Sequence, residues 1–210
     1  MNIFNPEIFL ATSFPRGGIL RSAILTLVVL LSACGEPTLP SPFHSSDVSS
    51  AFVDADFKLT DPRGKERTLG DFRGKVVAMF FGYAHCPDLC PTTMADLAQS
   101  MKMLGKDAER VQVLFVTVDP DRDTPQLLES YVAAFDPRFL ALSGDKRATA
   151  QAAGAFQVKY QKQQTASGYS VDHSVGVYLV DPSGRVRLRT PYGESSAWIA
   201  DDIRLLLAGI

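Results

Sequence analysis

Gly82-Tyr83-Ala84-His85-Cys86-Pro87-Asp88-Leu89-Cys90-Pro91 is the stretch on which the reading of the fold turns. An apolar run, Val76 to Phe81, precedes it, and residues with helical periodicity follow. Two thiols therefore sit where a strand hands over to a helix. Cys86 and Cys90 are four apart, close to one helical turn. A helix beginning near Cys86 would stack both sulfurs on one face. Pro91 fits the first helical turn. Amides at a helix start favour thiolate over thiol, and thiolate binds soft metals and attacks disulfides. The spacing alone does not choose between these chemistries. The plain alternative is a pair of buried, inert cysteines, but Pro87 and Asp88 between them mark a loop. The thioredoxin spacing Cys-x-x-Cys is exceeded by one residue.

The chain has 210 residues, 46% of them hydrophobic, enough for one packed domain plus extras. Its net charge of -2 does not suggest a nucleic-acid surface. One of the three cysteines stands apart from the pair. Arg16 and Arg21 precede a nine-residue apolar run, Ala23 to Leu31, short of the about 20 residues that span a bilayer and suited to a signal-peptide core. The run ends Leu31-Ser32-Ala33-Cys34-Gly35, which resembles a bacterial lipoprotein signal, with Cys34 as the lipidated new N-terminus. The long lead, with Glu7 in it, departs from that pattern and points to a later start of translation. An ordinary cleaved signal or a short anchor is the alternative. The expected division is a signal peptide over 1–33, a flexible Pro- and Ser-rich tether over 34–50, and one domain over 51–210. His44 falls in the tether and reads as solvated. Acyl chains on Cys34 would hold the domain at a membrane surface of the bacterial cell envelope, outside the cytoplasm. There Cys86 and Cys90 can close into a disulfide.

Along the domain, Phe52 to Leu59 reads as a strand and Asp61-Pro62-Arg63-Gly64 as a turn. Thr68 to Lys75 reads as a short strand and turn. Lys75 to Phe81, apolar on both faces, belongs at the centre of a covered sheet. Met94, Leu97, Met101 and Leu104 give a helix stopped at Gly105. Met94 lies one turn beyond Cys90, yet methionine at this spacing reads as core. Val111 to Val118 is a second buried strand. Thr124 caps the next helix with Pro125 at its first position; Leu127, Leu128, Tyr131, Val132 and Phe135 face inward. Leu140 to Leu142 is a short extended segment, and Asp145 caps a third helix. Gln157 to Val171 fits a hairpin or loop inserted before the strand Ser174 to Val180. Asp181-Pro182-Ser183-Gly184 turns into Val186 to Leu188, and Ser195 or Ser196 opens a last helix, with Trp198 at its edge. Helices alternate with buried strands and the chain closes on an antiparallel pair. This is an α/β, thioredoxin-like order: a central mixed sheet flanked by helices.

His173 stands before the strand Ser174 to Val180, at a sheet end where functional loops gather. By position alone it serves equally as a strand cap or as a partner of the two sulfurs. Asp172 could orient its ring. The proline that usually enters this strand in thioredoxin-type reductases is absent from Val171-Asp172-His173-Ser174.

The segments Phe81 to Pro91, Val118-Asp119-Pro120-Asp121-Arg122-Asp123-Thr124-Pro125 and Asp172-His173-Ser174 together resemble the SCO/SenC family, from about Ala51 to the C-terminus. The resemblance implies a thioredoxin-like fold and one copper ion held by Cys86, Cys90 and His173. It implies work on the dinuclear copper centre of cytochrome c oxidase, by copper delivery, by reduction of target cysteines, or both. The implied partners are the copper-receiving oxidase subunit and a copper donor or thiol reductant. Ser174 departs from the commoner threonine. Two thiolates and an imidazole also suit trigonal Cu(I) on chemical grounds. A structural zinc site would want a fourth ligand, for which Asp88 is a poor candidate. His85 reads as exposed or supporting. Asp119 and its loop can border the site. Two rivals remain: a thiol-disulfide reductase that does without His173, and a peroxiredoxin-like peroxidase. The second generally has threonine or serine three residues before the reactive cysteine, where Tyr83 stands here.

Overall fold

The structure, a computed structural model, describes residues 41–166 and 168–210. The expected signal peptide and Cys34 lie outside the described residues.

The centre of the sheet is β4 (Val76–Gly82), buried at all seven positions. It runs parallel to β5 (Val111–Thr117), which is parallel to β6 (Leu140–Leu142). On its other side β4 pairs antiparallel with β9 (Val177–Val180), followed by β10 (Val186–Thr190) and the edge strand β1 (Ser46–Asp47). The order is β1-β10-β9-β4-β5-β6. Helix α1 (Leu89–Leu104) crosses from β4 to β5, α2 (Pro125–Ala133) from β5 to β6, and α4 (Ser196–Ala208) packs against α1. Helix α3 (Lys146–Ala155) follows β6. Two small ribbons complete the fold: β2 (Leu59–Thr60) with β3 (Glu66–Arg67), and β7 (Tyr160–Thr165) with β8 (Gly168–His173). A mixed sheet flanked by helices, with a hairpin ahead of β9, is the thioredoxin-like arrangement expected from the sequence.

The pleat of β4 sends neighbours to opposite faces. Phe81 joins Phe156, Tyr178 and Phe52 in one aromatic cluster. Phe80 meets Phe115, on which Tyr131 of α2 lies. Gly82 shares the Phe80 side, and a Cβ there would come within 2.9 Å of the Cys90 sulfur and 2.8 Å of Phe80. The missing side chain is what lets the sulfur approach the end of the central strand. Helix starts follow the capping rules: Thr124, Asp145 and Ser195 each accept a first-turn amide.

Four local readings are corrected. Between Phe52 and Leu59 only Leu59 is in a strand, because Asp56 accepts the amides of Phe57 and Leu69 and bends the segment. Thr68 to Lys75 holds a 3-10 turn, Leu69–Phe72, closed by a reciprocal Thr68–Asp71 capping box. Strand β9 starts at Val177, not Ser174; Gly176 has φ +132 and lies against the Thr190 carbonyl, which excludes a regular ladder there. The described part of the tether is built into the domain. Ser45 is buried, its amide and that of His44 bind the buried Asp202 carboxylate at 2.8 Å, and His44 stacks on Trp198. Among the described residues no helix is long and apolar enough to cross a membrane.

Candidate metal centre

Cys86 and Cys90 are both free thiols, and they are held differently. Helix α1 begins at Leu89, so Cys86 lies in the preceding turn and not on the helix. The two sulfurs meet because the turn folds Cys86 back over the helix start. The Cys90 amide, one of the donors that a helix N-terminus leaves unpaired, reaches the Cys86 sulfur at 3.4 Å. Cys90 is fully buried in the first turn of α1, while Cys86 is half-buried.

This asymmetry divides the protons of the pair. The Cys90 thiol beside Cys86, the backbone amides of Cys90 and Asp88, and the nearby His173 lower the Cys86 pKa from 9.0 to about 5, against the opposing effect of burial. Cys90 moves the other way, raised by its hydrogen bond to Cys86 and then by burial. The reduced pair thus carries one proton, on Cys90, and one thiolate, on Cys86.

His173 ends β8, the strand of the inserted hairpin, and its Nε2 lies 3.5 Å from the Cys90 sulfur. Its Nδ1 is 3.0 Å from the Ser174 carbonyl oxygen, which can only accept. Nδ1 therefore carries a proton, and Nε2 is the nitrogen turned toward the sulfurs, the one whose lone pair a metal takes from the neutral imidazole. The Ser174 carbonyl thus takes the orienting role foreseen for Asp172. Asp172 is exposed and lines the same cleft as His173, but among the described residues it makes no hydrogen bond to the imidazole. The imidazole stands edge-on to Phe80 and Tyr83, each with ring centroids 6.0 Å away.

Cys86 Sγ, Cys90 Sγ and a His173 ring nitrogen lie within 4.8 Å of one another. A metal about 2.0–2.3 Å from each donor in a trigonal site needs donors about 3.5–4 Å apart. Side-chain adjustment of less than about 1 Å closes that difference, so the donor set fits one copper ion. A cleft of about 510 Å³ between the cysteine turn and β8 opens the site to solvent.

The sequence reading has the Asp119 to Asp123 loop able to border the site but gives Asp123 no separate role. Asp123, with a fully buried side chain, accepts from the Ala84 amide (3.0 Å) and the Thr117 hydroxyl (2.6 Å), and lies 3.3 Å from His85 Nδ1. It pins the cysteine turn from below, and His85 is a partner of Asp123 and not of the sulfurs. Asp119, also foreseen near the site, binds Arg122 and the Tyr169 hydroxyl and touches neither cysteine. Met94 is buried in the core, as its spacing suggested. Tyr83, at the place where a peroxidase of this fold would carry threonine or serine, is buried beside His173. The signal that could have found Asp123 is its place two residues before a helix start, in a loop leaving a central strand.

A thioredoxin-like fold with two thiols at the start of its first long helix and an imidazole brought from a hairpin defines a class of thiol- and metal-handling proteins. The particular family follows from comparison: residues 46–208 match the SCO1/SenC family model, and the chain belongs to that family. It is 39% identical over 166 residues to the mitochondrial SCO2 homologue of Homo sapiens, covering 76% of this chain and 61% of that protein. The chain thus spans about three fifths of that relative's length. It is 37% identical to Bradyrhizobium japonicum ScoI, solved with copper bound, with a TM-score of 0.67 over 72% of this chain and 98% of the other. A SCO1/SenC family lipoprotein from Bacillus anthracis is similar at 26% identity, with a TM-score of 0.61 over 72% of this chain and 92% of that one.

Proposed function

We propose that this protein binds one Cu(I) ion through Cys86, Cys90 and His173, and that it serves the assembly of the dinuclear copper centre of a cytochrome c oxidase in a bacterial envelope. The observation that carries the reading is the convergence of two sulfurs and an oriented imidazole nitrogen within 4.8 Å. The copper-bound relative supports the choice of metal. Three donors and an open cleft leave one side of the ion free for a partner's ligand, as a carrier needs. The partners are the copper-receiving oxidase subunit and a copper donor. The Bacillus anthracis lipoprotein supports anchoring through Cys34, with the domain outside the cytoplasm.

A second activity at the same sulfurs is favoured by the proton asymmetry of the pair. The half-buried Cys86 thiolate is placed to attack a partner's disulfide. The mixed disulfide that forms releases one partner thiolate. Cys90, after losing its proton, then displaces the second. The partner leaves as a dithiol and Cys86–Cys90 remains as a disulfide, so two electrons have passed to the partner. Disulfide closure also removes both thiolate donors, so oxidation ejects copper and reduction restores the site.

Anaerobic titration of the reduced protein with Cu(I), followed by X-ray absorption, tests the proposal. One ion per chain with two sulfur donors and one nitrogen donor is expected. His173→Ala should remove the nitrogen and weaken binding. A loaded wild-type protein lacking a nitrogen donor would sink the assignment. A His173→Ala strain that assembles oxidase fully would shift the function to the reductase reading.

A further inference from the structure

The loop between β5 and α2, residues 118–124, carries none of the three donors, yet its buried polar side chains reach toward both segments that do. Asp123 holds the cysteine turn. The Asp119–Arg122 pair reaches the other way. Arg122 Nε donates to Asp119, whose side chain is fully buried, and Arg122 Nη1 donates to the Tyr169 carbonyl of β8 at 2.8 Å. The guanidinium lies over the Tyr169 ring at 3.7 Å and faces the Tyr83 ring at 5.7 Å. Tyr83 is the ring whose face or edge meets the His173 imidazole. The Tyr169 hydroxyl in turn donates to Asp119 at 2.8 Å, and Lys162 of β7 reaches Asp119 and Asp121 at 3.4 and 2.8 Å.

Besides this grip, the ribbon is held by Val171, which is buried in the core, and by Tyr160 and Tyr169, which pack against it. Its strands pair with each other and with no strand of the six-stranded sheet among the described residues. Five of the six residues of β7 are exposed. A two-stranded ribbon is marginal by itself, so its position depends on side-chain contacts such as these. Planar stacking together with directed N–H donors is a task for arginine that lysine does not replace.

We propose that Asp119 and Arg122 are positioning residues: a buried clamp that sets the β7–β8 hairpin so that His173 Nε2 faces the two sulfurs. This rests on the three-donor reading above and adds to it a device that controls whether the third donor is present. A clamp of this kind acts on metal binding only through His173, and that makes it separable from general damage.

The test is a double-mutant cycle on Cu(I) affinity in the reduced protein, with Arg122→Gln made in the wild-type and the His173→Ala backgrounds. In the wild-type background the loss should be roughly 10–100-fold, the range seen when supporting partners of metal ligands are removed. In the His173→Ala background it should be under about twofold. Equal losses in both backgrounds, or no loss with His173 present, would overturn the clamp. Because Arg122→Gln leaves the buried Asp119 carboxylate without its guanidinium, Asp119→Asn/Arg122→Gln is run in parallel with the same expectation. Amide hydrogen exchange of the metal-free protein gives a readout independent of copper. Exchange should rise in residues 160–173 and stay unchanged in 76–82 and 89–104. A rise everywhere or nowhere counts against the clamp. Failure of the wild type to bind Cu(I) would instead refute the function proposed above, leaving the exchange result to judge the clamp.

Discussion

The two halves of the centre are built in opposite ways. The cysteine turn grows out of β4, buried at every position and paired on both sides, and its own backbone is pinned by Asp123. His173 ends a ribbon outside the main sheet, held by the Asp119–Arg122–Tyr169 contacts and by Ser174 at its base, whose amide and hydroxyl bind Lys159. Sulfur donors on the rigid part are ready before metal arrives. A nitrogen donor on a ribbon outside the main sheet lets one arm of the site loosen without unfolding the domain. A carrier must hold an ion and also give it up, and the contrast supplies both properties from one fold.

The hardest way to break this contrast is to remove a sulfur. Cys86→Ser or Cys90→Ser should weaken Cu(I) binding by more than the roughly 100-fold upper range for supporting residues, and each should also abolish disulfide formation. His173→Ala should cost less than either, since both thiolates remain. If the imidazole variant proves as damaging as the cysteine variants in competition titrations, the halves are equally essential and the contrast is lost.

Reactivity sharpens the cysteine half. With its pKa near 5, Cys86 is almost wholly thiolate at pH 7, where a thiol at its ordinary 9.0 would be about 1% ionised. Lower intrinsic nucleophilicity offsets part of that gain. The alkylation rate of Cys86 in the reduced, metal-free protein should therefore rise as pH passes 5 and be flat from about pH 6.5 to 8. Buried Cys90 should react far more slowly, and only at high pH. Mass spectrometry after timed iodoacetamide pulses reads both. A Cys86 rate still climbing through pH 8 would mean that the Cys90 thiol, the turn amides and His173 do not stabilise the thiolate.

Much of the cysteine half was legible in the sequence, and less of the hairpin half. Val76–Phe81 announces a central strand by apolar continuity, and the caps Thr124, Asp145 and Ser195 mark helix starts by side-chain chemistry that acts within four residues. The Cys86/Cys90 pair is visible in spacing, although its geometry is not: the sulfurs meet over a helix start at Leu89 and do not stack along a helix. The strand–helix order suggested that His173 comes near them, and the family resemblance named it as a donor. Its orientation by Ser174, the Asp123 pin and the Arg122 clamp join residues 38 to 50 positions apart, or depend on a backbone carbonyl. No periodicity encodes such contacts. The edge strand Ser46–Asp47 escaped for a related reason. Its Pro- and Ser-rich surroundings read as tether, while the buried Asp202 that captures its approach lies over 150 positions away.

Packing at the end of β4 gives a further probe of the rigid half. A methyl group at Gly82 would meet Phe80 at 2.8 Å, the Cys90 sulfur at 2.9 Å and Phe115 at 3.1 Å. Gly82→Ala should therefore destabilise the domain by about 1–3 kcal/mol, the usual cost of overpacking, and disturb the Cys90 sulfur. Urea unfolding with unchanged m-value would read the first effect. An unaffected midpoint would show that the strand end yields, against the rigidity argued for it.

The smallest effect is expected at the outer rim of the hairpin contacts. Lys146 pairs with Asp121 at 3.2 Å, but its side chain is 78% exposed, whereas Asp119 is fully buried beneath Arg122. Solvent and salt screen the first pair, and holding two long side chains in register offsets what attraction remains. Lys146→Ala should thus change Cu(I) affinity by less than about twofold, within the usual scatter for exposed ion pairs. Exchange in residues 160–173 should stay at its wild-type rate. A Lys146 effect matching that of Arg122 would mean that the hairpin is steered by diffuse charge around Asp121, and the contrast between the halves would rest on electrostatic tuning instead of a buried clamp.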